Sequence, residues 1–500
     1  MTKHSKPNLR IPMVHSINAE MIDGDVFNEQ YGQHNVNMIH EETVNAAGDK
    51  TMYLCRRPGW DVAQSSYGTT TKIVYGLFRR PSDAGATWAM CKDTNDQVIT
   101  DGTTSTVLFT DANYLPGFVT ICNLAGTAKA VLQFRKDFST AHRVFYGSAI
   151  GSWTEITDAV FAALVHRGKI EFIDGHLLVM ASDRNIYNSK LNDPATWPDG
   201  NLVPKSIRLD IPSGLILHKN IVLAFGTESV EGFVTDGTNN PSGTILSRRK
   251  DLTANIGLSQ TSGNGNVSIS SGLGNYYAEI GGYTFFLGRE RGGRESNALY
   301  AFDGANFQKI SGDIISRIFS SSGYVYGIHP FAFYGRRCIA LSTIHPGGAN
   351  ANWWLFDIDS KQWYYWESSL FGPINDGETF AGMQGYRDKL FLPGTEFGDG
   401  TSGASAFSAY AQFEIPNPEN TLKRMAWYGV QGDTSPSANN VTVLTAKDDA
   451  ITFATRGTIK MASQQKRAYR GGAFRKRVVK LLHSTNAPWR ITEFQARIVE

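Results

Sequence analysis

The chain has 500 residues and a formal charge of +2, from 48 Lys+Arg against 46 Asp+Glu, which excludes a bulk electrostatic drive toward nucleic acid or an anionic membrane. Fifty glycines, 12% aromatics and only 19% charged residues exclude a disordered chain and describe a turn-rich, strand-rich globular one, since glycine supplies positive φ at turns and aromatics favour pleated surfaces. Four scattered cysteines, Cys55, Cys91, Cys122 and Cys338, form no CxxC or Cys/His cluster, so neither a zinc site nor a disulfide framework is expected and a reducing compartment fits.

Residues 1–65 have mixed polarity and little periodicity and read as an N-terminal arm or peripheral layer. Their start, MTKHSKPNLRIPMVH, lacks the apolar run of about 7–15 residues of a signal peptide, and no segment reaches the ~20 apolar residues of a membrane helix. Thr70 to Thr110 holds three short strand patterns, KIVYGLFRR, ATWAMCK and TSTVLFT, and reads as a divergent blade. Asp158–Arg167, DAVFAALVHR, is a helix candidate, and Asp313–Phe319, DIISRIF, a shorter one. From about residue 170 a unit recurs: a turn, an apolar strand, a polar loop and an aromatic-bearing strand. Its turns fall at Asp174-Gly175, Lys219-Asn220, Gly281-Gly282, Gly335-Arg336 and Arg387-Asp388. Their spacings of 45, 62, 54 and 52 lie near the roughly 40–50 residues of a four-stranded propeller blade. The expected fold is therefore all-β, a β-propeller of about six blades over 66–415, with strand-rich N- and C-terminal layers. In residues 416–500, strands are expected at Met425–Val430, Asn440–Ala446, Ile451–Thr455, Arg475–Leu482 and Trp489–Val499.

The stretch WWLFDIDSKQWYYWE, Trp353 to Glu367, packs six Trp and Tyr residues into fifteen positions. It occupies the place that ALYAFDGANFQKI holds one unit earlier, with Asp359-Ser360-Lys361 matching Asp303-Gly304-Ala305. The aromatics thus belong to a hairpin packed against neighbouring blades, with a stacking surface for sugars or bases as the alternative.

No P-loop, nucleophile elbow, HExxH or GxGxxG is present, and GNGNVSISSG, Gly263 to Gly272, reads as a connecting loop. Arg289, Arg291 and Arg294 in RERGGRE suit an anion-binding loop or, neutralised by Glu290 and Glu295, a solvated loop or subunit contact. Asp357 to Trp363 only loosely matches a sialidase-type box, and a hydrolase would need acids such as Asp174, Asp183 or Glu228 together in a central pocket. His166, His176, His218 and His345 sit singly. No catalytic, metal or cofactor-binding residue emerges. The segment Thr421 to Glu500 has 14 Lys/Arg against 5 Asp/Glu, a local charge of +9 that leaves −7 for residues 1–420. Its densest run, KRAYRGGAFRKRVVK, places Lys466, Arg467, Arg470, Arg475, Lys476 and Arg477 beside Tyr469 and Phe474. Such a run suits a phosphate backbone, a subunit interface or a charged edge strand that discourages pairing.

Three stretches, MYLCRRPGW (Met52 to Trp60), NIYNSKLNDPATW (Asn185 to Trp197) and the closing VVKLLHSTNAPWRITEFQARIVE, give the chain an arrangement that resembles the tail hub, or nozzle, proteins of short-tailed bacteriophages, the packaged-DNA stabilisation proteins. The resemblance covers roughly residues 45–500. It implies a virion tail protein assembled in the bacterial cytoplasm as a homohexameric ring on the portal–adaptor tube. It further implies tail-fibre or tailspike partners, double-stranded DNA in the lumen without sequence specificity, no cofactor and no enzymatic site. The basic run would then lie at a subunit or adaptor interface first and in the lumen second. A receptor- or glycan-binding propeller, or a sialidase-like hydrolase, is the alternative.

Overall fold

The computed structural model describes residues 9–13, 34–44, 48–57, 59–64, 72–81, 83–136, 141–235, 244–259, 276–291, 297–312, 315–316, 319, 324–333, 335–344, 351–368, 371–375, 381–384, 390–393, 398–399, 405–406, 408–415, 417, 420–433, 439–447, 452–463, 466–485 and 487–499. Contacts divide the chain into two compact units, neither one consecutive segment: residues 63–351 with 369–391, and residues 1–62 with 352–368 and 392–500.

The larger unit is a β-propeller. Its first four sheets are antiparallel and four-stranded, beginning at Lys72–Arg80, Tyr114–Leu124, His166–Ile173 and Pro212–His218. A fifth sheet follows with Tyr277–Ile280, then the hairpins of Tyr324–Phe333 with Arg336–Ile344 and of Phe371–Asn375 with Ala381–Gln384. Successive first strands lie against one another, except that Pro212–His218 meets the fifth sheet through Ile256–Leu258 and the Tyr276 hydroxyl, and Phe371–Asn375 returns to Lys72–Arg80, so the circle closes. The Tyr114 sheet is the one that neither a turn marker nor the strand patterns of Thr70 to Thr110 announce.

Why the middle strands read as unbroken apolar runs follows from this stacking: each sheet is buried on both faces. In His176–Ala181, Leu177 and Val179 pack with Val131 and Val144 of the preceding sheet, while Leu178 and Met180 pack with Leu215 and Val222 of the following one. The first turns need positive φ, which two-residue hairpins favour, and Asp174 (47°), Gly175 (83°) and Lys219 (54°) supply it. Arg387-Asp388 lies outside the described residues. The expected helix at Asp158–Arg167 shortens to Ala159–Ala163, N-capped by Asp158, because His166 already opens the next sheet's first strand. The same aspartate accepts from the Trp197 N–H at 3.2 Å, and the buried Trp197 indole donates to Pro194 at 2.9 Å, so DPATW closes its sheet onto that helix.

On the inner side of the circle Tyr276 is shared by three sheets. Its hydroxyl donates to Leu215 O and accepts from the Lys169 N–H at 3.0 Å, and its ring stands edge-on to Phe118 at 5.5 Å. The strands come this close only because Gly168 and Gly214 lack side chains. A Cβ on Gly168 would meet Gly214 Cα at 2.8 Å and Tyr276 Oη at 2.9 Å, at a φ of +74°. Gly168→Ala is therefore expected to cost about 3 kcal/mol in urea unfolding, from left-handed strain plus overpacking, whereas Gly151→Ala, with nothing within 4 Å, should be near neutral. Equal midpoints for the two variants would refute this close-approach argument.

The smaller unit is a β-sandwich drawn from the beginning, middle and end of the chain. One sheet runs Met38–Val44, Lys50–Arg56, Arg490–Val499, Lys423–Gly432, Arg467–Phe474, with Leu9–Pro12 also paired to Arg490–Val499. The other runs Trp363–Ser368, His34–Val36, Ala409–Glu414, Arg477–His483, Asn440–Lys447, Ala454–Lys460. Met38, Leu54, Tyr428 and Phe494 of the first face Ala411, Phe413, Val443 and Leu481 of the second in one core. Against the expectation, Ile451–Thr455 is displaced to Ala454–Lys460, and Arg467–Phe474 is an added strand.

By its contacts the aromatic stretch is grouped with the smaller unit, while in sheet order its strands Ala351–Asp357 and Trp363–Ser368 follow Tyr324–Phe333 and Arg336–Ile344, as the third and fourth strands of a blade do. Trp353, Trp354, Trp363, Tyr364, Tyr365 and Trp366 are all buried, the most open at 6%, so they offer no stacking surface. Its turn is held by Asp357, which accepts from the N–H groups of Asp359 (3.0 Å) and Ser360 (3.2 Å), as Asp303 does from Ala305 and Asn306. Asp357, not Asp359, is thus the counterpart of Asp303.

Two fully buried arginines of MYLCRRPGW bind the sandwich together. Arg57 donates to Asn37 Oδ1 at 3.0 Å and to Glu367 O at 3.2 Å. Asn37, at a φ of 57°, accepts from the Glu367 N–H and donates to Tyr365 O and Ser408 O. Arg56 contacts His483 Nδ1 at 3.0 Å and donates to Thr485 O. A guanidinium only donates, so His483 is neutral with its proton on Nε2, which faces Asn439 Oδ1.

Candidate functional site

The basic run begins on the edge strand Arg467–Phe474 and crosses to the other sheet of the sandwich. Its members do different things. Arg477 is fully buried; its guanidinium donates to Gly471 O and to Ala473 O at 3.1 Å and lies 4.5 Å from the Phe474 ring centre, closing the turn between sheets. Arg475 is exposed in that turn and Lys476 half-buried. Lys466 leads into the strand, half-buried, and Arg470 lies on it.

Arg467 lies flat, its guanidinium 4.3 Å over the Trp427 ring. Gly429 permits this, since a Cβ there would meet Lys466 O at 2.3 Å. Trp427 is the cross-strand partner of Tyr469 on one side and Arg497 on the other, so the three share one face of the sheet. Tyr469 is 59% exposed, the buried Trp427 is covered by Arg467, and Arg424 is exposed further along. Arg424, Arg467 and Arg497 supply the charge of this face, whereas Arg490 on the same strand as Arg497 is paired with Glu41 at 3.2 Å and with Asp433 at 3.1 Å. The result is a cationic sheet face with an exposed phenol, suited to a polyanion and carrying no nucleophile or acid–base pair. Sequence reading found Arg467 and Tyr469 but missed Trp427, Arg497 and Arg424, which join them only through strand pairing.

The other sequence candidates separate. Asp174 sits in a first turn, bonded to Thr235; Asp183, in the turn at the opposite end of the same sheet, accepts from Tyr187 at 2.7 Å. Glu228, one sheet on, pairs with Arg291 at 3.3 Å. These acids do not converge. Arg289 donates to Thr227 O at 3.5 Å, while Arg294, GNGNVSISSG and His345 lie outside the described residues, as does most of Asp313–Phe319. His176 bonds Ser189 O, His218 bonds Thr284, and His166 stacks on His142 at 4.6 Å. Among the described residues, no group of three or more His, Cys, Asp or Glu suits a metal ion, and no helix is long and apolar enough to cross a membrane.

Glu171 is a buried acid of the propeller. Burial pushes its carboxyl up to about 6, opposed by Lys169 at 3.8 Å and by the Tyr277 hydroxyl, which donates to it at 2.7 Å. Packed among first strands beside Tyr276, it joins sheets together.

No protein-family model and no curated protein matches the chain. Among solved structures it is similar to BamB from Moraxella catarrhalis, at 11% identity over 69% of this chain and 96% of that one, with a TM-score of 0.34. The β-propeller domain of the Trilobed protease from Pyrococcus furiosus matches at 11% identity over 65% and 95%, with a TM-score of 0.35. A glycoside hydrolase matches at 11% identity over 76% and 97%, with a TM-score of 0.27. The likeness is one of fold alone, and the chain is an all-β protein built on a β-propeller.

Proposed function

We propose that the chain is a structural subunit of the tail nozzle of a short-tailed bacteriophage, forming a homohexameric ring that retains packaged double-stranded DNA and conducts it at ejection. The observation that supports this reading is the sandwich face of Arg424, Trp427, Arg467, Tyr469 and Arg497, a cationic surface of a kind suited to a phosphate backbone and not to reading bases. The propeller supports it as a rigid module, because Tyr276 ties three of its sheets on the inner side of the circle. The three stretches that carry the family resemblance all serve architecture: the RRPG arginines, DPATW and the closing strands.

The test is the mass of the purified chain in light scattering, alone and with its tail adaptor. Six copies of 55.0 kDa give roughly 330 kDa. A monomer that ignores the adaptor overturns the reading and directs attention to glycan arrays.

A further inference from the structure

We propose that the connector Lys205–Ile211 is one half of a contact between copies of this chain, seating Ile207, Arg208 and Leu209 of one copy against strand Ser105–Thr110 of the next. The inference rests on the ring reading for its choice of occupant. Ile207 is 41% exposed, Leu209 73% and Ile211 55%, an unusual density of bare aliphatic surface for five residues. The loop that presents them is held rigid. The fully buried Glu231 carboxylate accepts the successive N–H groups of Ser206 (3.2 Å), Ile207 (2.9 Å) and Arg208 (3.0 Å) and pairs with Arg248 at 3.2 Å. Beneath it the buried Lys205 ammonium meets Asp210 at 2.5 Å and Ser229 at 2.8 Å. Desolvating Lys205 and Glu231 is costly, and what the arrangement achieves is a fixed backbone under an exposed tip, which lowers the ordering cost of docking into a shaped partner. A fluid lipid surface gains nothing from a fixed tip shape, so the rigid backbone favours a shaped protein partner.

The complement is on the same unit. Ser105–Thr110, STVLFT, is the edge strand of the first sheet; it has no charge and no proline, and its Val107 is 52% exposed. Other outer strands are guarded: Leu202–Pro204 ends in proline, and Leu246–Ala254 carries Arg248, Arg249 and Lys250. Asp101 precedes the strand and Asp111 follows it, each capping its own turn in solvent or near it. An uncharged edge with one exposed valine and a carboxylate at either end fits an aliphatic tip that carries Arg208, whose guanidinium has no ion-pair partner among the described residues. Two unlike patches on one chain associate head to tail, which is the geometry of a ring.

The four native cysteines are buried, so Leu209→Cys and Val107→Cys, both at exposed sites, report on the contact directly. Under copper–phenanthroline as oxidant, the two single variants mixed together are expected to give a disulfide-linked dimer that neither gives alone, and the double variant a ladder. Leu209→Asp should lower the mass seen in light scattering. A ring that forms without cross-linking places the contact elsewhere and overturns this inference while leaving the ring reading intact; no self-association with or without adaptor removes both. Sedimentation with phosphatidylglycerol vesicles that Leu209→Asp abolishes, without cross-linking, would assign the tip to a membrane and likewise overturn it.

Discussion

Replacing Arg57 with methionine is expected to lower the unfolding free energy by about 3–5 kcal/mol, enough to leave the sandwich marginal or unfolded at 25 °C. The side chain is fully buried, and its charge-assisted bonds to Asn37 Oδ1 and Glu367 O tie together segments more than 300 residues apart in sequence. Charged hydrogen bonds contribute about 1.5–3 kcal/mol each, and methionine leaves Glu367 O without this donor in a buried setting. Arg57→Lys keeps a positive charge but not the planar fork, so it should recover only part of the loss. Urea unfolding followed by tryptophan fluorescence suits the test, since Trp366 lies 5.5 Å beneath the guanidinium. A shift under about 1 kcal/mol would mean that the sandwich is held by its apolar core alone.

Acid should unfold the protein well above the range in which its carboxylates titrate. Burial lowers His166 and His329 to about 4 and His483 to about 3, the last helped by the adjacent Arg56. Each is a base whose folded pKa lies below its unfolded value near 6.5, so its contribution is complete above pH 6.5 and is lost as pH falls toward the folded value. At pH 4 the loss is about 3 kcal/mol apiece, a large share of the stability of an ordinary domain. Glu171 works in the opposite sense. Its pKa, raised to about 6, gives a contribution present below about 4.5 and lost as pH rises, worth about 2 kcal/mol and too small to offset the histidines. Urea midpoints are expected to fall steeply from pH 6.5 to 4.5, and His329→Phe, which replaces a ring whose Nδ1 has no hydrogen-bond partner, should flatten part of that slope. A midpoint constant over this interval contradicts the proposal that these imidazoles are held neutral by burial.

What the sequence revealed of the fold was its turns. Asp174-Gly175 and Lys219-Asn220 mark two-residue hairpins because their chemistry tolerates positive φ, and the strands after them follow. The Tyr114–Glu155 sheet escaped notice because its first turn is Ala125-Gly126, where an alanine takes a φ of 51° and gives no Asn or Asp signal. The sandwich was the harder case. The hairpin at Trp353–Trp366 has the pattern of a propeller hairpin and takes that place in the sheet order, and what the sequence did not show is that Tyr365 also pairs with Val36, which extends the sheet beyond the hairpin. For the candidate site the basic run was legible as composition, yet Arg477 and Arg467 have opposite fates, one buried in a turn and one spread over Trp427. That difference arises from register, which composition does not encode.

The strand Arg490–Val499 sits in the middle of the sandwich sheet, with Lys50–Arg56 on one side and Lys423–Gly432 on the other. On the ribosome, Lys50–Arg56 therefore waits for a neighbour made more than 400 residues later, on the order of half a minute at bacterial rates of synthesis. The propeller sheets from Lys72 to Ala254, each made of consecutive strands, need no such delay. Translation that stops between the propeller and Arg490 would release a chain with an open sheet edge, a substrate for proteases. Placement of Arg490–Val499 at the centre makes synthesis through Val499 a condition of a finished sandwich.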